Sequence, residues 1–264
     1  MERLPVTTWK QPNLRTPEPV ILFGFRVHPW TMEQTLHEIE RRLDAGLFTQ
    51  HGVVNTAKIV NSRHDEALRE ALSACDILNA DGMGVVLASR FLGAPVPERV
   101  TGIDLFMSLL QRAQERQEPI FLLGAEPEIV DKAVQALHGK YPQIRIAGWH
   151  HGYFWDDEEA VVRRIRESGA TLLFVGITSP RKERFIHEWR DRLGVRFAMG
   201  VGGAFDVLAG KTRRSPRWMQ QAGLEWLFRV ILEPRRLSKR YFVTNFVFCW
   251  LLIQEVWKRL SENP

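Results

Sequence analysis

"NADGMGVV", Asn79 to Val86, places one carboxylate, Asp81, directly after an apolar run and just before a helix-like stretch. An acid in that position has two compatible readings. It caps the helix that starts near Met83, or it is a general base, kept ionised by a helix N-terminus and placed to take a proton from a hydroxyl. Three other stretches share a strand, glycine, helix layout: "FLLGAEPE" around Gly124, "FVGITSPRKE" around Gly176, and "GVGGAFDVLAG" around Gly202. Glycines there would let backbone amides approach a diphosphate closely, although tight turns also collect glycine. A departing diphosphate needs cations, and Arg214, Arg229, Arg235 and Arg236 are the candidates. Their other reading is a solvated basic face near acidic lipid headgroups.

Other chemistries find less support. In "WDDEEAVVRRI", Asp156 and Glu158 superficially resemble a metal-holding acidic pair, but Asp156 and Glu159 have N-cap and N3 spacing before an amphipathic run. No metal site and no cofactor is expected. His150 and His151 read as a surface pair. There is no G-x-S-x-G element for covalent hydrolysis, and the glycine spacing lacks the G-x-G-x-x-G of a dinucleotide-dependent oxidoreductase.

The elements that must position these groups alternate in a βαβα order. Strands are predicted at Val20 to Val27, Gly52 to Asn55, Asp76 to Asn79, Ile120 to Leu123, Ile144 to Ala147, Thr171 to Val175 and Arg196 to Met199. Helices are predicted near 31–45, 56–73, 83–91, 103–116, 126–138, 157–168 and 181–193. The fold class is therefore α/β, a mainly parallel Rossmann-like sheet layered by helices. A Pro-rich leader (1–18) precedes this core (19–210), and a basic helical appendage (211–264), broken at Gly223 and Pro234, follows it. In open sheets of this kind, ligands sit beyond the carboxyl ends of the strands.

The 264 residues are 45% apolar and 25% charged, enough for one sizeable core. The net charge of +5 is uneven: Lys211 to Arg240 holds nine Lys or Arg against Glu225 and Glu233, net +7, while the rest is close to balanced. Such a field fits an anionic partner without choosing among nucleotide, lipid and nucleic acid. Cys75 and Cys249 suggest neither a disulfide framework nor a zinc site, and the N-terminus lacks the apolar run of an export signal. The last helix has an apolar centre, Phe246 to Ile253, flanked by Lys239, Arg240 and Tyr241 and by Trp257, Lys258 and Arg259. At 1.5 Å per residue that centre rises about 12 Å, too short to span a bilayer but suited to lying in its surface. Packing in an oligomer interface is the other reading.

Taken together, "NADGMGVV", "ERVTGIDL", "IFLLGAEPE", "YPQIRIAGWHHGYF", "VGITSPRKE", "GVGGAFDVLAG" and "GLEWLFRVILEPRR" resemble the WecG/TagA/CpsF glycosyltransferases (glycosyltransferase family 26) over roughly residues 20–241. The resemblance implies an inverting, metal-independent transfer from a UDP-sugar, of ManNAc or glucose type, to a polyprenyl-diphosphate-linked saccharide. It implies work on the cytoplasmic membrane surface, in cell-surface polysaccharide synthesis and without nucleic acid as partner. Asp81 matches the family's proposed base, Asn55 in "VVNTAK" a sugar-nucleotide asparagine, and Arg99 in "RVTGID" a pocket arginine. Thr56, Lys182, Glu183 and Asp206 fall in matching motifs and are expected to bind substrate, together with Gly124, Gly176, Gly202 and the C-terminal arginines. Two departures stand out. Val53 replaces a frequent threonine, and Lys182 stands where glutamine is usual in a "PKQE" pattern.

Overall fold

The computed structural model describes residues 16–232 and 234–262; the side chains of Gln221, Arg229, Arg236, Lys239, Arg240 and Glu262 lie outside that description, as does most of the expected leader. The chain opens with a hairpin, β1 (Val20–Leu22) and β2 (Phe25–Val27). Phe23 and Gly24 both have positive φ at its turn, the tight geometry that matches strand twist. The expected single strand over Val20 to Val27 is thus folded back on itself.

Six strands form one parallel sheet in the order β4-β3-β8-β7-β5-β6. They are β3 (Thr49–Val54), β4 (Ile77–Ala80), β5 (Ile120–Gly124), β6 (Ile146–His150), β7 (Leu172–Gly176) and β8 (Phe197–Gly200). Because a strand turns alternate residues to opposite faces, Ile120, Leu122, Leu172, Phe174, Phe197 and Met199 enter one core. Phe121, Leu123, Leu173, Val175 and Ala198 enter another on the far side. Burial on both faces is why these strands read as unbroken apolar runs.

The first face is covered by α1 (Met32–Asp44), α5 (Gly102–Arg116), α6 (Pro127–Lys140) and the short α9 (Ala204–Leu208). The α1 start is a capping box of Thr31 and Gln34. The other face holds α7 (Glu158–Glu167) and α8 (Arg181–Trp189), then α2 (Thr56–Asn61), α3 (Glu66–Ser73) and α4 (Met83–Phe91). The expected helix over 56–73 is broken between α2 and α3, because Asp65 caps a new start by accepting from Leu68 N–H at 2.9 Å. In α7 the cap is Asp157 rather than Asp156. Helix α8 is four residues shorter at its end than the sequence suggests.

The appendage consists of α10 (Arg217–Gln221), α11 (Glu225–Leu232) and α12 (Pro234–Glu262); the expected break at Gly223 is present, and the one expected at Pro234 adjoins Glu233, which lies outside the described residues. One side of α12 is docked on the α2/α4 core, where Phe248 and Leu251 are buried and Phe23 stacks 5.1 Å from Phe248. Arg259 fastens the far end to the Leu92 and Ile21 carbonyls. The opposite side presents Phe242, Phe246, Trp250, Ile253, Trp257 and Leu260, all more than half exposed. Steps of four and three residues place these on one stripe about 27 Å long, longer than the apolar centre legible in the sequence. No helix among the described residues is long and apolar enough to cross a membrane.

The two sides of α12 should respond differently to truncation. Phe248→Ala should lower stability by about 3–5 kcal/mol in urea denaturation, whereas Phe246→Ala should change it by less than about 0.5 kcal/mol.

Candidate active site

The carboxyl ends of β4 and β3 lie side by side. Asp81 N–H donates to the Val54 carbonyl at 2.7 Å, and Val100 N–H donates to the Ala80 carbonyl at 2.9 Å. Asp81 therefore leaves the sheet pinned between β3 and the segment that carries Arg99. Gly82, with φ +117°, occupies the N-cap position of α4 and supplies no side-chain bond. The N-cap position thus belongs to a glycine whose backbone turn a side chain would strain, and Asp81 stands one residue before it. Gly84 keeps α4 tight on α2, since a Cβ there would stand 2.7 Å from Thr56 Cγ2. Thr56 and the Asp81 loop are thereby held against each other.

Asn55 caps α2, its side-chain oxygen accepting from Lys58 N–H at 3.0 Å. Lys58 then turns beneath the strand ends. Its Nζ donates to the Val53 carbonyl at 2.7 Å and lies 2.9 Å from Glu183 Oε1. Lys182 Nζ reaches the same oxygen at 2.8 Å. All three side chains are about nine-tenths buried. Burial alone would raise the Glu183 carboxyl, but the two ammoniums overcome it and hold the group well below the usual carboxylate range. Burial, then Lys58, push the Lys182 ammonium down, against the pull of Glu183 and Asp81. The Lys182 stem lies across Gly200, where a Cβ would come within 2.6 Å of it.

The three glycine turns prove unequal. Gly124 and Gly176 are register partners on β5 and β7. A Cβ on Gly124 would stand 2.5 Å from the Gly176 backbone, and one on Gly176 would stand 2.5 Å from the Phe205 ring. Close packing already requires glycine at both. Gly202, with φ +54°, would meet nothing within 4 Å and borders open space. Asp206, on α9, lies 3.6 Å from Lys211 Nζ. Chains leaving β5 and β7 depart to opposite faces of the sheet, as do those leaving β8 and β3, so crevices open where an extended ligand can lie. From β4 to β5 is four strand spacings, about 19 Å.

The appendage closes the opposite side. Gly223, with φ +72°, sits so close to Met83 that a Cβ would be 2.0 Å from its Cγ. Arg99 donates to the Gln220 carbonyl at 2.5 Å and pairs with Glu225 Oε2 at 2.6 Å. Arg214 pairs with Asp104 Oδ1 at 2.6 Å and approaches Glu225 Oε1 at 3.8 Å. The expected pocket arginine and one expected diphosphate arginine thus hold α10 and α11 beside Asp81. Arg235 is exposed in the first turn of α12, and the Arg229 and Arg236 side chains lie outside the described residues. Among the described residues, no three His, Cys, Asp or Glu side chains converge as metal ligands.

Sequence reasoning missed Lys58, Glu225 and Asp104. A lysine three residues into a helix start, between apolar residues, was the available signal for Lys58, and an acid within a basic segment was the signal for Glu225.

Residues 20–262 match the family model described as Glycosyl transferase WecG/TagA/CpsF family. The chain is 32% identical over 228 residues to the N-acetylglucosaminyldiphosphoundecaprenol N-acetyl-beta-D-mannosaminyltransferase of Bacillus subtilis strain 168, covering 86% of this chain and 87% of the relative. It is 31% identical over 209 residues to the protein of that name from Bacillus spizizenii, covering 79% of each. With Asp81, the buried lysine pair and the arginine-held appendage gathered at one edge of a parallel sheet, a match of this extent shows that the chain belongs to the WecG/TagA/CpsF family and is a glycosyl transferase.

Proposed function

We propose that the protein moves a sugar from a UDP-sugar to a saccharide linked to a polyprenyl diphosphate, with inversion, without a metal, at the cytoplasmic face of the membrane. The relatives' names specify N-acetylmannosamine transfer to N-acetylglucosaminyldiphosphoundecaprenol, which favours a ManNAc-type donor over a glucose-type one. One observation carries the reading: Asp81 follows directly on the end of β4, pinned by its N–H to the Val54 carbonyl at 2.7 Å and one residue before the N-cap of α4. In this scheme the donor lies across the strand ends, its diphosphate toward Gly202 and Lys182, with Asn55, Thr56, Glu183 and Asp206 around it. Gly124 and Gly176 shape the far crevice.

An acceptor hydroxyl attacks the anomeric carbon from the face opposite the departing phosphate. Asp81 takes its proton as the bond to UDP breaks, the moment at which the oxygen becomes acidic. Negative charge builds on the leaving diphosphate and is met by Lys182 and by guanidinium groups of the appendage. The exposed stripe of α12 would lie in the lipid surface and bring the enzyme to an acceptor that cannot leave it.

Replacing Asp81 with asparagine should reduce turnover by about 10²-fold or more with UDP affinity nearly unchanged; turnover equal to wild type would remove it as the base. Activity should survive EDTA, and loss that magnesium restores would refute the metal-free scheme. Phe246→Ser combined with Trp250→Ser should release the protein from anionic vesicles in flotation while leaving its melting temperature in place. If the double variant instead stays on vesicles, or if wild type forms a dimer that the substitutions dissolve, the membrane role of α12 is wrong.

A further inference from the structure

Two arginine–carboxylate pairs cross between the core and the appendage in opposite senses. Arg99, on the core segment after α4, pairs with Glu225 Oε2 at the start of α11 at 2.6 Å. Arg214, on the segment before α10, pairs with Asp104 Oδ1 in the first turn of α5, also at 2.6 Å. Glu225 links the two pairs, because its Oε1 lies 3.8 Å from Arg214 Nε and accepts from the Ser215 hydroxyl at 3.4 Å. The core members stand at the strand ends. Val100 N–H, next to Arg99, donates to the Ala80 carbonyl at the end of β4, and a Cβ on Gly102 would lie 3.8 Å from the Gly200 carbonyl at the end of β8. The four side chains keep between 17% and 40% of their surface exposed, so a dissolved anion can reach them. Arg99 also has an anchor independent of Glu225, the Gln220 carbonyl to which it donates at 2.5 Å.

We propose that Glu225 is a positioning residue that occupies Arg99 and steadies Arg214 in place of the donor's diphosphate, and that UDP engages these guanidiniums by displacing its carboxylate. The inference rests on the UDP-sugar reading of the donor. A guanidinium fork takes a carboxylate or a phosphate in the same planar geometry, so one anion can replace the other without rebuilding the site. Little else has to move. Arg99 keeps the Gln220 carbonyl, its segment stays pinned at Ala80, and the Glu225 side chain withdraws. The more highly charged phosphate wins the contact, while the waiting carboxylate lowers the net affinity, because the binding-competent form is only a fraction of the free enzyme. The same competition favours product release: once the sugar has been transferred, Glu225 contends with UDP for both arginines.

Removing a competitor tightens binding, whereas damage to a purely structural clasp loosens it, so the sign of the change separates the two roles. UDP affinity would be measured by calorimetry on the full chain. Glu225→Gln keeps the shape of the side chain and gives up its charge; it should lower the UDP dissociation constant about threefold, with the donor KM and the inhibition constant of UDP falling in step. Glu225→Asp keeps the charge but is one methylene shorter, and it should also tighten UDP because it no longer reaches Arg99. An affinity equal to wild type in Glu225→Asp, beside a tightened Glu225→Gln, would mean a general field effect and overturns the proposal. UDP bound equally or more weakly by folded Glu225→Gln overturns it as well. Should the Glu225 variants melt before binding can be read, Asp104→Asn frees Arg214 in the other half of the clasp: tighter UDP supports the exchange, and unchanged or weaker UDP overturns it. Wild type that binds no UDP overturns the donor reading itself, a result visible before any variant is compared.

Discussion

Two lysine ammoniums bound to one buried carboxylate oxygen set the chemistry at the strand ends. Taking such charges out of water is expensive, and leaving one member unpaired in a protein interior costs about 3–5 kcal/mol. The cluster can exist only because three segments distant in sequence meet there: α2, the first turn of α8, and the end of β8, where Gly200 leaves room for the Lys182 stem. The parallel sheet brings them together by placing β3 next to β8 and β8 next to β7. Fold and charge constrain each other. The sheet order gives the lysines a shared partner, and that partner fixes both ammoniums at the ends of β3 and β8.

A second set of ion pairs joins the core to the appendage. Glu225 receives Arg99 from the segment after α4 and is approached by Arg214 from the segment after α9, while Asp104 at the start of α5 takes the other side of Arg214. These groups are partly exposed, and surface pairs are each worth little. Their effect is geometric. Together with Gly223 against Met83, they fix the α10–α11 turn over the loop that carries Asp81. Arginines engaged with carboxylates can still exchange onto a more highly charged diphosphate, because the guanidinium fork suits both partners.

Much of this was readable in the chain. Apolar runs ending in glycine marked β5, β7 and β8 within a residue or two, since strands buried on both faces need continuous hydrophobic sequence. The α4 helix, Met83–Phe91, fell where its periodicity placed it. Turns decided by local backbone chemistry were less legible. Phe23 adopts the left-handed region that Gly24 shares, and nothing in "VILFGFRV" separates a hairpin from one strand. Asp65 ended one helix and began another in a stretch whose apolar pattern continued. At the site, Asp81 and Lys182 stood in recognisable motifs, but Lys58 and Glu225 act through partners more than a hundred residues away. Pairings of that kind are set by tertiary packing and leave no trace in spacing.

Helix α12 ties the two systems to the surface of the molecule. Its inner side contacts the Asp81 loop almost directly: a Cβ on Gly84, three residues past the acid, would lie 3.9 Å from the Phe248 ring. Its outer side carries the exposed aromatic stripe, one helix diameter away, about 10–12 Å. A rigid helix with one side on the Asp81 loop and the other toward solvent fixes the height of that loop above whatever the stripe rests on. If the stripe rests on lipid, as proposed, Asp81 stands about one helix diameter above the headgroup level. On the proposed reading, that short path suits an acceptor whose reacting hydroxyl lies close to its lipid anchor.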